Sequence, residues 1–226
     1  MNDCPYSLGI STSAFFPRSL PEIFAILREQ PLRNIELMPQ APSECRPEFA
    51  DELVRHGGAD FSVRSIHFPL TLQAFLYSPQ AFACEFGKEL CRGIVGLAGA
   101  VGAGTIVAHA PPDQAVARFS LERIIENVRY LCDTAAERGI TVGLENLVST
   151  AVARTPADMQ AFAAALGDPN VGYVLDVTHA HNWGQDPLDF VEQLSPLVHI
   201  HASDYNPHTG QHRVPGDGVV HWRRLA

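Results

Sequence analysis

Thr141-Val142-Gly143-Leu144-Glu145-Asn146 is the stretch on which the fold turns. Four uncharged residues run without polar alternation into a carboxylate and an amide. That pattern marks a strand covered on both faces, as in a parallel sheet. Upstream, the spacing predicts one helix over 117–138. Leu121, Ile124, Ile125, Val128, Leu131, Cys132 and Ala135 form its apolar stripe, with Arg118, Glu122, Glu126, Arg129 and Asp133 opposite and Gly139 as the stop. Downstream, Thr155-Pro156 sets an N-cap residue before a proline at the first helical position. A buried strand between two amphipathic helices is the repeating unit of an α/β domain.

The same unit recurs along the chain. Strands are expected at 7–10, 34–38, 63–67, 105–109, 141–145, 173–177 and 198–201, the later ones being near-continuous apolar runs. Ser19-Leu-Pro-Glu22 reads as a capping box, and Ser78-Pro79 and Asp186-Pro187 as helix starts. Seven such units leave an open doubly wound sheet or a (β/α)₈ TIM barrel. Gly99-Ala-Val-Gly-Ala-Gly104 precedes a strand instead of following one and lacks the GxGxxG spacing, so a dinucleotide site is not expected. The barrel is the expected fold, with seven of its eight strands in view. No low-complexity linker divides residues 1–226, which read as a single domain.

Composition narrows the function. The chain has 226 residues, 16 Lys+Arg against 25 Asp+Glu, and a formal net charge of −9. No basic run exceeds Arg223-Arg224, so nucleic acid is not an expected partner. Lys88 is the only lysine, which excludes a GK[ST] phosphate loop. No apolar run is long enough for a membrane span, and the stretch from Met1 to Tyr6 lacks the flank of a secretory signal. Cys4, Cys45, Cys84, Cys91 and Cys132 are odd in number without CxxC spacing, which suits reduced thiols in a cytoplasm.

Ten histidines stand against that poverty of lysine. Six of them (His67, His109, His179, His181, His199 and His201) fall at or just past the expected strand ends, beside Glu36, Glu145, Asn146, Asp176 and Asp204. In a barrel those ends form the active mouth. Singly, each has a bland reading. A histidine caps the core, an acid caps the next helix, Asn146 serves a turn, and Asp204 fixes the loop after strand 7. Jointly, crowded carboxylates among imidazoles repel one another unless a divalent cation intervenes, and a mixed set suits Zn²⁺, Mn²⁺ or Fe²⁺ better than Ca²⁺.

Four motifs in order and spacing resemble the xylose isomerase-like TIM barrels, a superfamily that includes sugar-phosphate isomerases and epimerases and the endonuclease IV group. They are Gly-Leu-Glu145-Asn146, Leu-Asp176-Val-Thr-His179, Val-His-Ile-His201-Ala-Ser-Asp204, and His212-Arg-Val-Pro-Gly216-Asp-Gly218 followed by Trp222. The resemblance implies metal ligation by Glu145, Asp176 and His201. In endonuclease-like members the positions of His67, His109, His179 and His212 join a multinuclear zinc cluster, whereas in epimerase-like members the position of His179 contacts substrate. Two departures stand out: Gly210 occupies the place of an aspartate, and His221 stands where many members have an Asp. The resemblance also implies an eighth strand bearing a further Glu ligand, so the chain is expected to be incomplete at its C-terminus.

The leading expectation is a divalent-metal-dependent isomerase or epimerase of a small sugar or sugar phosphate, working by proton transfer through a metal-bound enediolate with Glu145 and His179 as catalytic groups. The alternatives are a zinc-dependent hydrolase, with endonuclease IV-like phosphodiesterase chemistry or hydrolysis of an amide or phosphoester in a small molecule, favoured by the presence of both His67 and His109, and a non-catalytic metal- or ligand-binding barrel. Zn²⁺ or Mn²⁺ is the expected cofactor, with Mg²⁺, Co²⁺ and Fe²⁺ also compatible. Substrate contacts are expected from Glu36, Trp183 and Arg213, although strand 2 places Glu36 less directly. His181 and His199 are read as donors that orient the ligands. Phe15 and Phe16 are read as packing under a loop or walling the pocket, and His56, His208 and His221 as surface residues. A small molecule is the expected partner, with no membrane, and a homo-oligomer stays open.

Overall fold

The structure, a computed structural model, describes residues 7–225. Cys4 and the N-terminal stretch to Tyr6 lie outside the described residues. Strand and helix alternate as the periodicity predicts. β1 (Gly9–Ser11) leads to α1 (Leu20–Arg28), β2 (Asn34–Leu37) to α2 (Phe49–Gly57), and β3 (Ser62–His67) to α3 (Ala74–Tyr77) and α4 (Ala81–Val101). β4 (Thr105–His109) precedes α5 (Asp113–Arg118) and α6 (Leu121–Ala136), and β5 (Thr141–Glu145) precedes α7 (Pro156–Leu166). β6 (Val171–Asp176) runs directly into α8 (Val177–Asn182), then α9 (Pro187–Gln193) and β7 (Leu197–His201). A hairpin of β8 (Asp204–Tyr205) and β9 (His212–Arg213) follows, and then α10 (Trp222–Leu225).

The seven strands are parallel and lie in the sheet in chain order, β1 to β7. Glu36 on β2 and His199 and His201 on β7 lie 3.2 Å apart although four strands separate them in the sheet. The sheet is therefore curled into a TIM-barrel-like wall of seven strands. Among the described residues, β1 and β7 do not pair with each other. The helices coat the outside, where α4 and α6 pack together over buried Leu90, Ile94, Leu97, Ile124, Val128 and Leu131.

Local signals in the sequence explain most boundaries. Glu22 closes back on Ser19, accepting from its backbone N–H and its hydroxyl. Thr155 and Asp158 form a reciprocal capping box at α7, and Asp186 accepts from Leu188 N–H at α9. Gly102 and Gly139 take the left-handed conformations that turn the chain out of α4 and α6.

Three expectations are corrected. The single helix over 117–138 is two, because Phe119 N–H closes α5 on the Ala115 carbonyl and Ser120 then caps α6 by accepting from Arg123 N–H. Ser78 does not start a helix: its N–H bonds to the Ala74 carbonyl and ends α3, and Gln80 is the N-cap of α4. The sixth strand ends at Asp176, because that carboxylate accepts from His179 N–H and starts α8 at Val177.

No helix among the described residues is long and apolar enough to cross a membrane. Cys45, Cys84, Cys91 and Cys132 are free thiols, and burial pushes those of Cys45, Cys91 and Cys132 up to about 12.

Candidate metal centre

The C-terminal ends of β2 to β7 bring three buried carboxylates and five histidines to one place. Glu145 is the hub. Its Oε2 lies 3.2 Å from His67 Nε2 and 3.0 Å from His109 Nε2, and its Oε1 lies 2.9 Å from His201 Nδ1. Asp176 stands alongside, with Oδ2 3.8 Å from His201 Nδ1 and 4.0 Å from His212 Nδ1, and Oδ1 3.8 Å from His179 Nδ1. Donor atoms converge within 4.8 Å in three overlapping groups: His67–His109–Glu145, Glu145–Asp176–His201 and Asp176–His179–His212. A fourth, Glu36–His199–His201, joins β2 to β7.

Neighbouring bonds fix these side chains. Asn146 latches β5 to β6, its amide donating to the Asp176 carbonyl and its oxygen accepting Asp176 N–H. His67 Nδ1 donates to the Phe68 carbonyl at 2.8 Å and His179 Nδ1 to the Asn146 carbonyl at 2.9 Å. A carbonyl only accepts, so those bonds set both tautomers and leave the Nε2 lone pair of each ring available. Irregular register re-aims the strand ends: β2 and β3 shift between Ile35 and Glu36, and β6 and β7 between Tyr173 and Val174.

The electrostatics call for positive charge, which protonated histidine or a bound cation supplies. Glu145 is 1%, Asp176 3% and Glu36 6% exposed, and among the described residues no lysine or arginine is paired with any of them. Burial pushes the Glu145 carboxyl up, but the facing charges of His201 and His109 outweigh it and hold the group well below the usual carboxylate range. Glu36 follows the same balance, with burial opposed by His201 and His199. Burial disfavours the His201 cation, yet Glu145 and Glu36 carry its pKa well above the ordinary imidazole value. His67 is raised because Glu145 outweighs burial, whereas in His109 burial prevails and lowers it.

The donor set fits a divalent metal. Tetrahedral zinc with bonds of about 2.0–2.1 Å sets its donors roughly 3.3 Å apart, close to the three separations at Glu145, while those at Asp176 are 3.8–4.0 Å. His67, lodged against Glu145 with its Nδ1 proton committed elsewhere, presents a lone pair to a carboxylate unless a cation or a second proton lies between.

The expected ligands Glu145, Asp176, His201, His67, His109, His179 and His212 are all brought together, although the His212 side chain is half exposed and its Nδ1 also meets Ser203 Oγ at 2.7 Å. Glu36 is a correction. It is not peripheral: Ser65, His199 and His201 all meet its Oε2. His181 is another, since it stacks on Tyr205 with centroids 5.3 Å apart and, among the described residues, bonds to none of the ligands. Gly210 takes a left-handed conformation, and a Cβ there would stand 2.7 Å from Asn182 Oδ1, so the aspartate of the endonuclease-like pattern would require the Asn182 side chain to move. Trp183 donates to the Leu147 carbonyl, and Arg213 is exposed on β9. Phe15 packs on the core while Phe16 is exposed. Arg154, which the sequence did not single out, lies flat on Trp183 at 3.8 Å with its Nε buried and unpartnered.

Comparisons with known proteins agree with this architecture. A family model described as xylose isomerase-like TIM barrel matches residues 22–226. A protein of Methanocaldococcus jannaschii is 27% identical over 108 residues, 45% of this chain and 36% of that protein, so the match spans little more than a third of the relative's length. The structure of a D-tagatose 3-epimerase-like protein superposes with a TM-score of 0.76 at 20% identity, over 97% of this chain and 84% of the other. That of a D-psicose 3-epimerase gives 0.74 at 16% identity, over 96% and 79%. These two likenesses establish the fold.

Proposed function

The chain belongs to the xylose isomerase-like TIM barrel family, and from that premise we propose that it is a divalent-metal-dependent isomerase or epimerase of a small sugar or sugar phosphate. The meeting of Glu145, Asp176 and His201 carries the reading: two carboxylates and an imidazole from three successive strand ends, with donor atoms within 4.8 Å of one another. When bound, the cation supplies Lewis-acid polarisation of a substrate carbonyl, which acidifies the adjacent C–H. The epimerases that share this fold supply the substrate class by analogy.

The protein's own groups divide the remaining work. Glu145 has both oxygens engaged by histidines and is held ionised, which makes it a weak base and a good ligand. His179 suits proton transfer better. Its ring is fixed through Nδ1, and its Nε2 makes no hydrogen bond among the described residues. Arg154, pinned on Trp183 and unpaired with any carboxylate among the described residues, offers a positive charge to a substrate phosphate.

One observation favours a second reading, a hydrolase with two or more ions: His67 and His109 both face Glu145 Oε2, and Asp176, His179 and His212 make a further group. A net charge of −9 then points to a small phosphoester or amide in preference to DNA.

The test reconstitutes the full chain with Zn²⁺ or Mn²⁺, counts bound ions, and follows deuterium uptake from D₂O into ketohexoses and their phosphates. The expected result is metal-dependent exchange at the carbon beside the carbonyl, with Glu145→Gln and Asp176→Asn losing both ion and exchange. Two or more zinc ions with cleavage of a phosphoester or amide and no exchange would move the assignment to the hydrolase. A chain that binds neither ion is a non-catalytic barrel.

A further inference from the structure

Glu36, His199 and His201 form a group of their own. Glu36 pairs in register with Ser65, two residues before His67, and His199 stands two residues before His201. Glu36 is therefore set one pair below His67 on the neighbouring strand, while His199 is level with Glu145 through Val174 of β6. His199 Nε2 and His201 Nε2 each lie 3.2 Å from Glu36 Oε2, and Ser65 Oγ donates to the same oxygen at 3.0 Å. Both strands that supply the group sit at a register irregularity: β2 shifts against β3 at Glu36, and β7 against β6 just before His199. Such shifts aim side chains that regular pairing would direct elsewhere.

We propose that Glu36, His199 and His201 are a second cation site, taking a divalent d-block ion such as zinc, and that the His201 ring, having released its remaining N–H proton to solvent as an imidazolate, is shared between it and the Glu145–Asp176–His201 group. The two nitrogens of an imidazole face opposite edges of the ring. Here each edge meets its own anion: Nδ1 lies 2.9 Å from Glu145 Oε1, and Nε2 lies 3.2 Å from Glu36 Oε2. Each histidine nitrogen lies 3.2 Å from the Glu36 carboxylate and all three donor atoms lie within 4.8 Å of one another, and two imidazoles with a carboxylate are a zinc-type set that leaves a fourth coordination place for a water or a substrate oxygen. Charge supports a second ion. Glu36, Glu145 and Asp176 are buried together without Lys or Arg partners among the described residues, and with a His201 imidazolate they carry four negative charges, which two divalent ions balance. The sharing of His201 rests on the metal-centre reading above; the ion at Glu36 and His199 does not.

His199 provides a clean test, because it pairs with Glu36 and with neither Glu145 nor Asp176. The full chain is stripped with chelator, loaded with Zn²⁺ or Co²⁺, desalted and analysed for metal per chain, with circular dichroism to confirm folding. His199→Ala and Glu36→Gln are each expected to bind one ion fewer than the wild type. Asp176→Asn should lose a different ion and keep the one whose loss follows His199→Ala. His199→Gln, which keeps most of the bulk, replaces His199→Ala should the latter fail to fold. An unchanged count in the folded His199 variants overturns the proposal while leaving the Glu145 centre standing. Loss of every ion on removing His199 also overturns it, since the site would not be separate. A wild-type chain that takes up no metal removes both readings together.

Discussion

The Asp204 carboxylate accepts backbone N–H groups from Tyr205 and Gly216 at 2.8 Å and Val220 at 2.9 Å, and the Trp222 indole N–H at 3.0 Å. It thereby ties the terminal hairpin and α10 to the end of β7. Burial opposes its ionisation, but those four donors outweigh burial and depress its pKa well below the ordinary value. A depressed carboxylate contributes stability above its unfolded pKa of about 3.9 and loses it as pH falls towards the folded value. Asp204→Asn is expected to lose about 3 kcal/mol in urea unfolding at pH 7, the scale of one or two charge-assisted bonds, and the gap should close below about pH 4. Parallel pH profiles would contradict that assignment. The role was legible in the sequence, where Asp204 follows a strand and precedes a Gly-rich turn. Glu36 was not, because its part in the cluster depends on a register shift and on His199 and His201, which lie more than 160 residues away in the chain.

At the scale of elements, α4 shows opposed effects that can be ranked. Gly87, Gly93 and Gly96 let it press against neighbouring segments: a Cβ on Gly87 would stand 2.6 Å from the Phe75 carbonyl, one on Gly96 2.6 Å from Pro47, and one on Gly93 would overlap the Cys45 carbonyl. Helix propensity alone predicts that Gly→Ala stabilises by about 1 kcal/mol. At Gly93 the obstacle is backbone and cannot swing away, so Gly93→Ala is expected to destabilise by about 1–3 kcal/mol and lower the melting temperature. Gly99, whose Cβ would meet only the flexible end of Arg138, is the control, and Gly99→Ala should be neutral or stabilising. Melting curves of the two variants that move together would show that propensity governs the helix. The existence of these elements was legible, while their breaks were less so. Ser120 starts α6 just before its apolar stripe, inside the stretch expected to be already helical, since local capping by one hydroxyl decided what periodicity could not.

For the whole molecule, the alternation of buried strands and amphipathic helices was enough to read the parallel architecture, and strand ends closed by His, Glu and Asp were enough to locate the mouth. The curl that brings β2 to β7 was not readable, because it arises from long-range pairing and from the packing of helices outside the wall. The central claim is that the mouth holds a divalent ion between Glu145, Asp176 and His201. Anomalous diffraction at the zinc edge, on crystals of the full chain soaked in Zn²⁺, addresses it directly. The account predicts a peak about 2.0–2.2 Å from a donor atom of each of those three residues. A soaked crystal with no peak within reach of Glu145 and Asp176 would contradict it.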